Sequence, residues 1–162
     1  MKSAAQKFLN IIRHPVKFRM FLFWKLPAAF FSGIRINKID EERCVVTVPY
    51  KWLTQNPFHS TYFASLAMAA ELSTGALAMM HVYKRTPKVS MLITNMQATY
   101  FKKATEKIFF VCEAGKQIYD IIEDSIASHE SKSITVKSVG TDKDGEVIAE
   151  FLFTWSFKVK AI

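Results

Sequence analysis

The patterning of this sequence predicts an α+β fold in which an antiparallel sheet of about six strands wraps one long helix. Three observations carry that expectation. Residues 59–81, HSTYFASLAMAAELSTGALAMMH, are small or apolar around the whole helical wheel and hold a single charge between Ser60 and Met80, at Glu71. Short runs that alternate apolar and polar residues lie on either side of it and read as strands. A second, shorter helical segment separates those runs, so one sheet packed on helices is the layer solution that buries every apolar face.

The elements follow in order. Residues 3–13, SAAQKFLNIIR, place Ala4, Ala5, Phe8, Leu9 and Ile12 on one helical face and Lys2, Gln6, Asn10 and Arg13 on the other. His14-Pro15 interrupts this segment. VKFRMFLFWKL follows as a second helical stretch, aromatic at Phe18, Phe21, Phe23 and Trp24 and basic at Lys17, Arg19 and Lys25, and Pro27 is expected to end it. Phe30, Phe31 and Ile34 then run toward the first strand. Residues 33–39 and 43–48 alternate around the turn Asp40-Glu41-Glu42, which predicts a hairpin. Residues 50–58 form a loop with Asn56-Pro57 as its turn signal, and the long helix is expected to start near Ser60 or Thr61, either of which can cap it. Residues 89–101 and 107–114 read as long strands around a turn at Lys102-Lys103-Ala104-Thr105. After Gly115, the spacing of Ile118, Ile121, Ile122 and Ile126 gives an amphipathic helix. Residues 133–139 and 146–159 make a final hairpin around Asp142-Lys143-Asp144-Gly145.

A helix that is apolar all round belongs in a protein core or in a membrane. The length suits a span, but a carboxylate at the bilayer centre costs roughly 3 kcal/mol. Ser60, Thr61, Ser65, Ser73 and Thr74 dilute the hydrophobicity further. The core placement is therefore expected, and it makes Glu71 the residue to explain. Buried acids are rarely left unpaired, and burial raises their pKa. Two explanations stay open: a structural partner from a basic side chain, a backbone amide or water, or a chemical role.

Composition narrows the function classes. The chain has 162 residues, enough for one domain with a real core, and half of them are hydrophobic. The net charge of +8 is uneven: Lys2, Lys7, Arg13, Lys17, Arg19, Lys25, Arg35 and Lys38 fall in residues 1–39, which contain no acid. The remaining basic residues are matched by 14 acidic ones. A general nucleic-acid surface is thus not expected. The basic, aromatic arm, residues 1–31, suits either packing across the sheet or a partner subunit, or peripheral contact with an anionic membrane through residues 1–26. Cys44 and Cys112 belong to no CxxC pair or zinc pattern, and the four histidines share no ligand spacing, so no metal is expected. Free buried thiols fit a reducing, cytoplasmic setting.

The order of elements, with a buried helix after the second strand, resembles the hotdog fold, here spanning residues 32–162. The motif spacing sharpens the likeness. Many phenylacetyl-CoA-type acyl-CoA thioesterases carry an Asn, then His-Gly-Gly beginning six residues later, then an acid nine residues after that His. Asn56, Tyr62 and Glu71 keep the spacing and the acid, but Tyr62-Phe63-Ala64 stands where His-Gly-Gly would be. The chain therefore resembles a branch of the same superfamily that lacks His-Gly-Gly, typified by an N-P-F-x-S-x-Y-F-A-type start and A-A-E-L-x-x-G.

The resemblance implies a homodimer or dimer of dimers, with an acyl thioester bound in a tunnel between subunits. It also implies a carbonyl polarised by backbone amides at a helix N-terminus, and an acid that activates water or attacks directly. No cofactor is expected beyond the coenzyme A moiety of the substrate. On these residues, Tyr62, Phe63 and Ala64 would offer the amides, Glu71 would be general base or nucleophile, and Asn56 would orient water or carbonyl. Thr74, three residues on, could hydrogen-bond the acid or water. His59 could replace the missing imidazole or be a loop residue. Met68, Met79 and Met80 suit a tunnel wall or plain core filling. Lys84, Arg85 and Lys88, and Lys102 and Lys103 beside Lys107, are candidate phosphate ligands or ordinary solvated surface. The alternative to catalysis is a protein of the same fold that binds acyl or lipid ligands without turnover.

Overall fold

The structure, a computed structural model, describes residues 2–160, with side chains from residue 5 onward. Lys2 and Ala4, placed above on the faces of the first helix, lie outside the described side chains, and residues 161–162 lie outside the described chain. The elements are α1 Lys2–Arg13, α2 Pro15–Lys25, α3 Pro27–Ser32, β1 Arg35–Ile39, β2 Cys44–Val48, a 3₁₀ turn Trp52–Thr54, α4 Phe63–Val82, β3 Val89–Tyr100, β4 Ile108–Cys112, α5 Gly115–Ser128, β5 Lys132–Thr141 and β6 Val147–Val159. The strands form one antiparallel sheet in the order β1-β2-β4-β5-β6-β3.

The sheet closes around α4, as expected. Along β6 the alternate residues Phe151, Phe153, Trp155 and Phe157 are buried together, as the two-residue period of a strand requires. Against them α4 presents small residues, with Ala69, Ala70 and Ala78 fully buried beside Leu66 and Leu77. Small side chains let the helix approach the sheet closely. Gly140 on β5 makes room within the sheet for its β4 partner: a Cβ there would sit 2.4 Å from the ring of Phe110. Although α4 is long and apolar enough to span a bilayer, 67% of its apolar window is buried inside the protein.

Two boundaries depart from the sequence reading. Pro27 does end α2, but it also opens α3, because proline suits the first turn of a helix, where its missing N–H is not needed. Gly33, at φ +75°, closes α3 in the left-handed conformation that glycine accepts most readily. The long helix begins at Phe63 instead of near Ser60 or Thr61. The Thr61 amide donates to the Ala104 carbonyl at 2.7 Å and the Tyr62 amide to the Thr54 carbonyl at 2.6 Å, so this stretch is held extended by its neighbours.

The N-terminal arm packs onto the domain. Phe8, Leu9, Ile12, Phe18 and Leu22 join the hydrophobic core, and Leu22 is fully buried. Burying one such side chain is worth about 1.5–3 kcal/mol. The opposite face of α2 stays bare: Val16, Met20, Phe23 and Trp24 are exposed, Trp24 by 73%. At the far end of the sheet, β3 pairs only with β6 among the described residues and is exposed from Thr94 to Tyr100.

Candidate active site

The long helix is buried along most of its length, but one stripe near its N-terminus is open. Ala64, Ala67, Met68 and Glu71 are partly exposed, spaced three and four residues apart on one face. Glu71 makes no side-chain hydrogen bond and no ion pair among the described residues. Burial alone pushes its pKa up to about 7. A basic side chain locked to this acid would have left it a structural residue, and none is present among the described residues.

The surroundings of Glu71 hold its backbone while leaving its carboxyl unpaired. Thr74 was expected to partner the acid or water. Its hydroxyl instead donates to the Glu71 main-chain carbonyl at 2.9 Å and accepts from the Trp155 indole at 3.0 Å. Thr74 is therefore a positioning residue that ties α4 to β6. Gly75 leaves room for the carboxyl, since a Cβ there would lie 2.7 Å from Glu71 Oε1 and 3.3 Å from the Trp155 ring. Met80 is buried in the core, as plain core filling requires, whereas Met68 and Met79 are partly exposed.

At the N-terminus of α4, three amides were expected to be available and two are. The Tyr62 N–H is spent on Thr54, whereas those of Phe63 and Ala64 have no acceptor among the described residues. They carry the partial positive charge of a helix N-terminus. The apolar side chains around them are exposed: Phe58 by 70%, Phe63 by 54%, Tyr62 by 46% and Trp52 by 80%. Tyr62 and Phe63 pack edge to face with centroids 4.8 Å apart.

Asn56 organises the loop that precedes the helix. Its Oδ1 accepts from the Phe58 amide at 3.0 Å, the Ser60 amide at 3.3 Å and the Ser60 hydroxyl at 3.2 Å. Only its Nδ2 donors remain for a ligand. His59 sits in the same loop at φ +56°, exposed and with no side-chain partner among the described residues, which fits a turn residue.

The candidate phosphate ligands divide between the two ends of α4. Lys103 donates to the Phe58 carbonyl at 3.3 Å and Lys102 pairs with Glu146, which puts both near the helix N-terminus. Lys84, Arg85 and Lys88 follow the C-terminus, about 30 Å away along a helix of 20 residues. One ligand phosphate cannot use both groups. Arg85 is committed to Glu123 at 2.7 Å, a pair largely shielded from solvent, and is lost as a ligand. Lys84 lies 5.5 Å from the Tyr83 ring centre. Away from the helix, Glu106, Asp142 and Asp144 bring carboxylate oxygens within 4.8 Å of one another, but Lys143 pairs with Glu106 and Asp142 is used to shape the turn.

A six-stranded antiparallel sheet wrapped on a central helix is the hotdog fold, and its known representatives include thioesterases. A solved Pseudomonas aeruginosa protein of unknown function, described as a probable thioesterase, superposes with a TM-score of 0.76 at 19% identity, over 90% of this chain and 97% of that one. A Haemophilus influenzae thioesterase gives a TM-score of 0.62 at 11% identity, over 88% and 89% of the two chains. A variant of another Pseudomonas aeruginosa thioesterase gives 0.64 at 14%, over 88% and 93%. No curated protein matches the sequence. Residues 17–157 match the family model described as a domain of unknown function, DUF4442, and the chain belongs to that family. The match begins at residue 17, so it takes in α3 and most of α2 but leaves α1 outside.

Proposed function

We propose that the protein is a thioester hydrolase acting on acyl-CoA, with Glu71 as the group that activates water or attacks the carbonyl. The observation that carries this reading is an unpaired carboxyl on the open stripe of an otherwise apolar helix, with a pKa near 7. A carboxylate tuned toward working pH is an effective general base. The free amides of Phe63 and Ala64 suit the developing oxyanion, and the exposed aromatic rim around them suits an acyl chain.

The same geometry favours a dimer. Ala64 and Glu71 are separated by about 10 Å along the helix axis, and the carboxyl lies beside Gly75, still further from the amides. One water cannot bridge that distance. A second copy seated on the open stripe and the bare edge of β3 would bring its own Glu71 toward the first copy's helix N-terminus, and would cover Leu92 and Met96, now 65% and 47% exposed. Acyl-CoA hydrolysis, measured over a panel of chain lengths, tests the proposal: turnover in the wild type and at least a hundredfold loss in Glu71→Gln, with the oligomer intact, are expected. Unchanged turnover in that variant removes Glu71 from the chemistry.

A second reading rests on the bare face of α2, where Met20 and Trp24 stand exposed between Lys17 and Lys25. It makes the protein a non-catalytic acyl or lipid binder docked on an anionic membrane. Deleting residues 1–26 would strip Phe8, Phe18 and Leu22 out of the core, so point variants test it better. Anionic-vesicle binding without turnover, lost in Met20→Ser/Trp24→Ser, favours this reading. Turnover without vesicle binding removes it.

A further inference from the structure

A cavity of about 700 Å³ lies between α1–α2 and β1, at the sheet edge opposite β3 and away from Glu71. Its wall combines Phe18 and Ile36 with Arg13, Arg19, Arg35 and Lys38; Asp40 is the acid among its lining residues. Asp40 Oδ1 is already occupied, accepting from the amides of Glu42 at 3.0 Å and Arg43 at 2.8 Å. Arg13 is anchored through Nε and Nη2 to the Ile39 carbonyl. Arg19 lies 3.9 Å over the Phe30 ring and donates through Nη2 to the Phe30 carbonyl, while its Nη1 is buried without an acceptor. Arg35 is close enough to disfavour the charge on Arg19, whose pKa is lowered first by burial and then by that neighbour. Neither guanidinium has a carboxylate partner among the described residues.

Two like charges on the wall of one groove, one of them with a buried orphan donor, favour an anion that completes them. Planar guanidinium forks match the geometry of a phosphate. The volume exceeds what a bare phosphate fills and lies in the range of organic ligand sites. We propose that this groove binds a phosphate ester with an apolar body, its phosphate between Arg19 and Arg35 and its body against Phe18 and Ile36. The ester is either a soluble molecule or the head group of a membrane lipid. The site is independent of Glu71 and stands whether or not the protein is a hydrolase.

Titration of the whole protein with octyl phosphate, inorganic phosphate and octyl glucoside tests the chemistry. Sedimentation with phosphatidylcholine vesicles containing phosphatidic acid tests the lipid source. Saturable binding of octyl phosphate, stronger than either fragment probe and weakened at least tenfold in Arg35→Gln/Lys38→Gln, is expected. Both of those side chains are exposed, so the variant should fold, which circular dichroism and an unchanged urea-unfolding midpoint would verify. Lys17→Gln/Lys25→Gln, on the arm outside the groove, should bind octyl phosphate like the wild type. If only the vesicles bind, and binding falls in the groove variant but not in the control, the source is a lipid head group. No binding to either probe, or equal losses in groove and control variants, overturns the proposal.

Discussion

Replacing Glu71 by Gln should stabilise the protein, and increasingly so as the pH rises. The folded-state pKa is about 7, against 4.5 for the ordinary carboxyl, and the cause is burial. The native state therefore holds its proton where the unfolded chain has released it. Stability is fully present below the unfolded value and falls as pH rises through the window from 4.5 to about 7. Above it the cost levels off at about 3 kcal/mol, since each pKa unit is worth about 1.4 kcal/mol. A neutral Gln pays none of this. The variant should exceed the wild type by about 1 kcal/mol at about pH 5 and by about 3 at about pH 8. With a urea slope of roughly 2 kcal/mol per molar, the difference in midpoints should widen by about 1 M between those two conditions. Urea unfolding at matched protein concentration measures it. A difference between the two proteins that does not change with pH would mean that the Glu71 carboxyl titrates normally, and the argument for a tuned acid would fail.

Other substitutions probe the frame around this acid. Thr74→Val should cost about 1–3 kcal/mol in urea unfolding, because the buried Trp155 N–H loses its acceptor, and Thr74→Ser should restore most of it. Gly75→Ala should lower hydrolysis far more than stability. The new Cβ meets only the mobile end of Glu71 and the edge of Trp155, so the carboxyl swings while the helix stays. A stability loss as large as the activity loss would contradict that. Cys44 and Cys112 should resist thiol reagents in the native protein and react only on unfolding, since both are fully buried and burial raises both pKa values. Rapid native labelling would show that β2 or β4 opens.

The sheet and its helix were legible because their signals are local. The alternation in 147–159 and the all-apolar wheel of 63–82 each follow from one stretch of chain. Glu71 stood out for the same reason, as the single charge in that stretch. What escaped the sequence depends on distant partners. Tyr62 lost its amide to Thr54 because the loop folds back on itself. Arg85 looked like a phosphate ligand until α5 brought Glu123 against it. Cys44 and Cys112, far apart in sequence, are directly opposed across β2 and β4. The basic arm showed its charge but not its groove, because the cavity exists only where α1 and α2 meet β1. Helix α3 was missed through Pro27, which stops one helix and starts the next.

The pH dependence of kcat/KM for acyl-CoA hydrolysis tests most directly whether the unpaired carboxyl does the chemistry. The account predicts a rate that rises tenfold per pH unit below the pKa of about 7 and flattens above it, with that limb absent from the residual activity of Glu71→Gln. A profile level from pH 5 to pH 8, or one that Glu71→Gln leaves intact, would contradict it.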